Sequence, residues 1–451
     1  MVTETRLPKA GRLAALLEAL DSGTLRSANR LVNALHPAEI AALLESMPPA
    51  RRELVWEFVD PELEGEVLLE LSEPVRLALL EQMDAQEIVA AAEGLEVDDL
   101  ADLVRELPET VNRQLLESMD RQHRERLDTV LSFPEDSAGG LMNTDTVSVR
   151  ADVSIETVLR YLRMRGELPD RTDRLFVADR RGQYLGTVPL PRLLTEDPER
   201  LVGDCLEPEA PRIDPTMSAH DVANLFQQRD LLSAAVVDAD GRLLGRITVD
   251  DVVDVIRMEG EHSVRSMAGL DDEEDVFAPI LPSTRRRLFW LGINLLTAFL
   301  AAAVVRNFEG TIAKVAALAA LMPVVASMGG IAGTQTVTLI VRAIALGQVQ
   351  WNNGRWLLFK EMAVGGLNGL IFAAVVGGIV WFWFGTPVIA AILAAALLIN
   401  LLAAAMVGVL VPLVLKRLRI DPALSAGVIL TTFTDCIGFA TLLGLGALFL
   451  T

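Results

Sequence analysis

The sequence predicts a mainly α-helical, polytopic membrane protein with five transmembrane helices, whose soluble part combines a helical-repeat domain with a duplicated α/β domain. Three observations lead there: an abrupt charge split, five long apolar stretches confined to residues 285–451, and a strand–turn–strand pattern that occurs twice. Residues 1–284 hold 57 of the 61 acidic and 29 of the 40 basic residues, a net charge of −28; residues 285–451 hold the other four and eleven, a net of +7. The chain divides accordingly into an acidic helical-repeat domain at 1–131, the duplicated domain at 132–249, a connecting helix with an acidic linker at 250–284, and a membrane domain at 285–451. Such an acidic soluble part argues against nucleic-acid binding, which draws its affinity from Lys/Arg patches. It suits hard cations, or plain solubility. Cys205 and Cys436 lie in different regions, so neither a disulfide framework nor a cysteine metal site is expected. Residues 1–30 are charged throughout and carry no apolar signal core, which predicts a cytosolic N-terminus.

Within residues 1–131 a motif recurs. Leu35-His36-Pro37-Ala38-Glu39-Ile40-Ala41-Ala42 resembles Met83-Asp84-Ala85-Gln86-Glu87-Ile88-Val89-Ala90, 48 residues on, and a third copy begins at Leu95 with Asp98-Asp99-Leu100-Ala101-Asp102. Each copy pairs a capping-type residue with an acid three or four positions later and apolar positions at helical spacing. Prolines at 48, 49, 61, 74 and 108 punctuate short helices that bury one face by stacking, as in a small solenoid.

The period then switches to strand and helix. The run Leu175–Val188 matches Ala234–Ile247, 59 positions later: a hydrophobic strand, an Asp/Gly turn, and a second strand. Upstream, Val153-Ser154-Ile155-Glu156 parallels Met217-Ser218-Ala219-His220. The pair resembles tandem CBS (cystathionine β-synthase-type) repeats, which bind adenine nucleotides such as ATP through a Thr/Ser and an Asp on the ribose. Thr248 and Asp250 fit that role in the second repeat, whereas Pro189 and Pro191 stand at the matching positions of the first. At most one such site has a normal ribose contact.

The helix expected from Asp250 places Asp250 and Asp254 on one face, where like charges repel unless a cation or basic group lies opposite. The run Asp271-Asp272-Glu273-Glu274-Asp275 follows, and is also what a solvated linker looks like. Apolar spans are expected at 288–308, 312–346, 356–383, 387–415 and 423–450, each long enough to cross a bilayer. With the N-terminus in the cytosol, nine basic residues (Arg285, Arg286, Arg287, Arg342, Arg355, Lys360, Lys416, Arg417, Arg419) face the cytosol against Arg306 and Lys314 outside. The C-terminus is then outside. In the second span, Pro323 and the run Ser327-Met328-Gly329-Gly330 either pack helices closely or open the backbone onto a pore. Asn294, Asn368 and Asn400 read as interhelical hydrogen bonds rather than ligands.

The last span carries one ionisable residue, Asp435, near its centre, with Thr431, Thr432 and Thr434 within a turn. An Asp at mid-bilayer costs roughly 2.5–3.5 kcal/mol, so it is expected to face water, an ion or a partner. These features point to a cation pathway.

Together, the acidic helical N-domain, the junction Phe133-Pro134-Glu135-Asp136-Ser137-Ala138-Gly139-Gly140-Leu141-Met142, the CBS pair, the five spans, the Pro323–Gly330 run and Thr434-Asp435 resemble the MgtE family of magnesium channels. The resemblance covers the whole chain. It implies a homodimer in the bacterial inner membrane, with the pore between the two membrane halves and Asp435 binding hydrated Mg2+. It further implies a plug helix after the CBS pair and closure by cytosolic Mg2+. The regulatory ligands it implies are Asp98, Asp99 and Asp102 in the third repeat, Asp136 in the junction, Asp250, Asp251, Asp254 and Glu259 on the plug, and Asp421 before the last span. The alternatives from other classes are transport of Co2+, Ni2+ or Mn2+, a membrane-anchored Mg2+ or nucleotide sensor that conducts nothing, and a coupled secondary transporter. No nucleophile–base constellation suggests an enzyme.

Overall fold

A computed structural model of the chain describes residues 18, 20, 25–207, 210–267, 275–345, 348–349, 353–418 and 420–450. The acids Asp271 to Glu274 and Arg419 lie outside the described residues. Two compact units form, Met1–Gly260 with Asp275–Ala278, and Glu261–Glu274 with Pro279–Thr451.

Among the described residues of the first unit, nine short helices make up the repeat domain: α1 (Leu25–Val32), α2 (Pro37–Leu44), α3 (Pro49–Trp56), α4 (Glu64–Glu70), α5 (Glu73–Leu80), α6 (Ala85–Ala92), α7 (Val97–Glu106), α8 (Glu109–Ser118) and α9 (Arg121–Leu131). The recurring motif is a capping box in its first two copies. The His36 ring nitrogen accepts from the Ala38 amide at 3.4 Å while Glu39 accepts from the His36 amide at 3.3 Å; Asp84 and Glu87 repeat the exchange. Stacking skips one helix each time, with α2 against α4, α4 against α6 and α6 against α8, the pattern a solenoid produces. Gly65 makes one of these crossings possible, since a methyl group there would collide with the Ala91 carbonyl oxygen. Gly65→Ala is therefore expected to cost about 1–3 kcal/mol, read as a lower thermal-unfolding midpoint of the purified protein.

The duplicated domain folds as two matching three-stranded sheets. One contains β1 (Ser148–Arg150), β2 (Arg174–Ala178) and β3 (Tyr184–Pro189), the other β4 (Arg212–Ile213), β5 (Ser233–Val237) and β6 (Leu243–Thr248). In each, the first strand runs parallel to the second, the third runs antiparallel, and the register slips before the turn, at Val177/Ala178 and Val236/Val237. The turn glycines Gly182 and Gly241 have φ of +78° and +80°, which explains the repeated Asp/Gly signature. Arg174 pairs with Pro189 as Ser233 pairs with Thr248, so the proline-for-threonine departure in the first repeat is real in register. Helices α10 (Ile155–Arg165), α11 (Leu190–Thr195) and α12 (Ala219–Arg229) complete the repeats, and α13 (Val249–Met267) follows β6 directly.

The junction ties repeat domain to sheet through its backbone. The Ala138 and Gly139 amides donate to the Met217 and Pro215 carbonyls, and Asn143 exchanges two backbone bonds with Arg246 at 2.8 and 2.9 Å. Gly140 and Gly245 admit this close approach: a Cβ on either would meet backbone.

The second unit holds α14 (Ile280–Arg306), α15 (Glu309–Lys314), α16 (Ala316–Ala345), α17 (Gly354–Phe384), α18 (Pro387–Arg417) and α19 (Pro422–Leu450). Five of these are long and apolar enough to cross a membrane. The expected second span at 312–346 is instead divided, because a bend at Val315 separates the short α15 from α16. The most enclosed helix is α18, which packs on α16, α17 and α19. Exposed Trp381, Phe382 and Trp383 end α17, and Trp356 and Phe359 lie near its start, the positions where aromatic side chains meet a membrane interface.

The candidate cation sites

Helix α7 is the third repeat, and it departs from the other two. Its N-cap, Glu96, makes no side-chain capping bond, so the acids of its first turn are free to face outward from the stack. Carboxylate oxygens of Glu96, Asp98 and Asp99 all lie within 4.8 Å of one another. The first-turn amides and the helix dipole favour negative charge at this end. The junction brings Asn143 over the group, where its side-chain amide donates to Asp98 at 3.3 Å. Opposite stands the start of α13, with Asp250 and Asp251. The Arg171 guanidinium pairs with Asp250 at 2.8 Å and reaches Glu96 at 4.0 Å.

Burial, more than any other cause, raises the pKa of these carboxyls, and mutual repulsion adds to it. Asp98 rises well above its ordinary value, with the charge of Asp251 the next cause; Asp99 and Asp251 each rise to about 7. Glu96 and Asp254 also rise, chiefly through burial. Several carboxylate oxygens thus share one small volume, where a proton or a cation relieves their repulsion. Because the folded state keeps those protons above the pH of about 4 at which an unfolded carboxyl loses them, it binds more protons than the unfolded state from there to about 7. Stability in chelator should therefore fall as pH rises through that window. Thermal unfolding in EDTA between pH 5 and 8 reads this directly. Excess Mg2+ should raise the midpoint more at pH 8 than at pH 5, since protons compete for the same oxygens.

Of the ten metal ligands expected from sequence, the structure gathers Asp98, Asp99, Asp250 and Asp251 into this group. Asp254 lies one turn further along α13, beside Arg257 at 3.4 Å. Asp102 turns instead to Arg105 at 2.7 Å, and burial lifts its pKa to about 6. Asp136 is exposed, and its carbonyl accepts from the Ala219 amide at 2.8 Å. Glu259 meets the His220 ring at 2.8 Å. Asp421 belongs to the second unit, where it caps α19 through the Ala423 amide at 2.9 Å and faces His262 at 3.3 Å. Glu96, Asn143 and Arg171 were not foreseen. Glu96 was legible, being the residue at the capping position of the third repeat.

The nucleotide expectation fares differently. The Thr248 hydroxyl is buried and bonds to Asp250 and, at 3.1 Å, to Asp251, while Asp250 also holds Arg171. Thr248 and Asp250, the residues expected at a ribose, therefore stand side by side at the end of β6 and the start of α13, next to Arg171.

In the second unit, Asp435 sits midway along α19, half-buried, and Thr431 lies one turn before it on the exposed side. The Thr431 hydroxyl donates to the Gly427 carbonyl at 2.9 Å, which satisfies its proton and leaves its oxygen lone pairs to accept. Thr432 donates to Val428 at 2.7 Å. Thr434 is fully enclosed and donates to Leu430 at 3.1 Å, so it does not share the outer face with Asp435; adjacent helical residues point in different directions. The glycine-rich run does not open the backbone. Helix α16 continues through Pro323 and both glycines; Gly329 is buried in a helix crossing, while Pro323, Ser327 and Thr334 form an exposed stripe at helical spacing with Gly330 beside it. Asn400 makes the interhelical bond expected of it, whereas Asn294 and Asn368 lie on exposed faces. Glu361, overlooked because it falls near the start of its span, is buried in α17, paired with Lys360 at 2.7 Å and Thr336 at 3.4 Å.

Five membrane-length helices with a half-exposed carboxylate at the centre of the last, joined to an acidic unit built on a CBS pair, point to a multi-pass membrane transport protein. Three family models match: the MgtE divalent cation transporter over residues 322–445, the MgtE intracellular N domain over 35–136, and the CBS domain over 138–198 and 202–258. The chain is 30% identical to the magnesium transporter MgtE of Thermus thermophilus over 442 residues, 97% of this chain and 98% of that one, and 25% identical to the MgtE of Bacillus subtilis over 96% of each. Its soluble part is similar to a crystal structure described as the cytosolic domain of the Mg2+ channel MgtE in complex with ATP, with 30% identity, a TM-score of 0.50, and 54% of this chain and 99% of that chain covered. The chain belongs to the MgtE family of magnesium transporters.

Proposed function

We propose that the chain is a Mg2+ channel that admits the ion down its electrochemical gradient and is closed by Mg2+ bound at the cytosolic acid cluster. The observation that carries the reading is Asp435, a carboxylate kept at the centre of an otherwise apolar helix with one side outward. Mg2+ surrenders its waters reluctantly. A single carboxylate per chain with the Thr431 oxygen beside it suits a hydrated ion, held through its water shell and weakly enough to leave. A second copy of the chain, placed against the exposed stripe of small and polar residues on α16 and the Asp435 face of α19, would double the carboxylate and enclose the path. With the N-terminus in the cytosol and the C-terminus outside, a membrane potential of 100 mV favours entry by about 4.6 kcal/mol for a divalent ion.

Closure follows from the chemistry of the acid cluster. Without metal, Glu96, Asp98, Asp99, Asp250 and Asp251 repel and the repeat domain is poised to leave the CBS pair. With Mg2+ the same oxygens become ligands and the compact state is favoured. The test is current or uptake recorded while Mg2+ on the cytosolic face is varied. Flux that falls as that concentration rises supports the reading, and a chain that binds Mg2+ at the cluster yet passes none is a sensor instead.

A further inference from the structure

Asn400, on the enclosed helix α18, meets both α16 and α19, the latter one turn from Asp435. It is fully buried. Its amide nitrogen donates to the Val325 carbonyl of α16 at 2.9 Å, two residues past Pro323. Two glycines on different helices leave the space it fills. On Gly329 of α16 a methyl would collide with the Asn400 amide, and on Gly438 of α19 it would stand 2.9 Å from the amide nitrogen. Gly438 lies three residues, one turn, after Asp435. The Asn400 carbonyl oxygen has no hydrogen-bond partner among the described residues. An unsatisfied amide oxygen this deep is costly, and an apolar residue would not carry that cost.

We propose that Asn400 is a positioning residue for the ion path: its amide fixes the crossing of α16 and α19 around Gly329 and Gly438, and so sets where Asp435 stands relative to the Pro323–Thr334 stripe. The inference rests on the transport reading above. Asn400 touches no ion; it acts through the two glycine-bearing turns. The price of the orphaned oxygen is accepted because an amide, unlike an alkyl group, has a direction and defines one rotation of each helix.

The test is Mg2+ uptake into liposomes containing the full chain. Asn400→Leu removes the directional bond while keeping the branched outline of four side-chain heavy atoms, and is compared with wild type at matched thermal stability. It should nevertheless raise the half-saturating Mg2+ concentration, or lower the maximal rate, by about three- to tenfold, the range of one intramembrane hydrogen bond. Unchanged uptake kinetics at matched stability would overturn the proposal. Should Asn400→Leu fail to fold, the slot itself decides. Gly329→Ala alone should abolish uptake, and adding Asn400→Ala should restore part of it by clearing the collision; a double variant no better than Gly329→Ala contradicts the contact. A wild-type chain that moves no Mg2+ would instead remove the transport reading on which the inference stands.

Discussion

Asp435→Asn lowers Mg2+ uptake by about a hundredfold while the protein remains folded. The size follows from the site. An ion path through hydrocarbon needs fixed negative charge to offset lost hydration, and a carboxylate worth roughly 2.5–3.5 kcal/mol in insertion cost at that depth is retained only where something compensates it. Removing the charge takes away a comparable term from the bound ion, and each 1.4 kcal/mol is a factor of ten. The helix itself loses nothing, since Asn inserts more readily than Asp and the residues enclosing α19, such as Leu430, Thr434, Leu442 and Leu443, are unchanged. Expression and thermal unfolding in detergent should match wild type, so a loss of uptake is a loss of the path. Uptake within a factor of about two of wild type would place the ion elsewhere in the unit.

Replacing Asp98, Asp99 and Asp251 by asparagine leaves uptake open at cytosolic Mg2+ concentrations that close the wild type. Moving a two-state protein from 1:99 to 99:1 takes a differential affinity of about 5.5 kcal/mol. No single weak site supplies that; on the proposed reading the gathered carboxylates of α7 and α13 would supply it together. The triple variant should shift the closing concentration upward by at least about tenfold. It should also be more stable than wild type in chelator, because the buried charges whose pKa values rise to about 7 are gone. That pairing of higher stability with lost closure separates gating from unfolding. Asp102→Asn is the control: its carboxylate is tied to Arg105 rather than to α13, and closure should change little.

The fold was legible where local chemistry is periodic. The capping boxes at His36 and Asp84, the Asp/Gly turns of the two sheets and the apolar length of the five spans need only neighbours in sequence. What sequence could not supply was rotation and partnership. Spacing put Thr431, Thr432 and Thr434 within a turn of Asp435, but only packing against the rest of the unit decides that Thr434 is enclosed and Thr431 is not. The Pro323–Gly330 run offers the same lesson, since glycines that open a backbone and glycines that admit a neighbouring side chain read alike until Asn400 is seen beside Gly329. The acid cluster was half visible. The family resemblance implied Asp98, Asp99, Asp250 and Asp251, yet Asp102 sits one turn away with a different partner, and Arg171 and Asn143 come beside them only in the folded unit.

The most direct measurement is Mg2+ entry into liposomes carrying the purified chain and a trapped Mg2+-sensitive dye, with the potential set by a K+ gradient. The account requires entry that increases as the interior is made negative and that stops when Mg2+ is raised on the side bearing the acidic unit. Folded protein that passes no Mg2+ at any potential, with Mg2+ supplied on one side of the membrane and kept low on the side bearing the acidic unit, would contradict it.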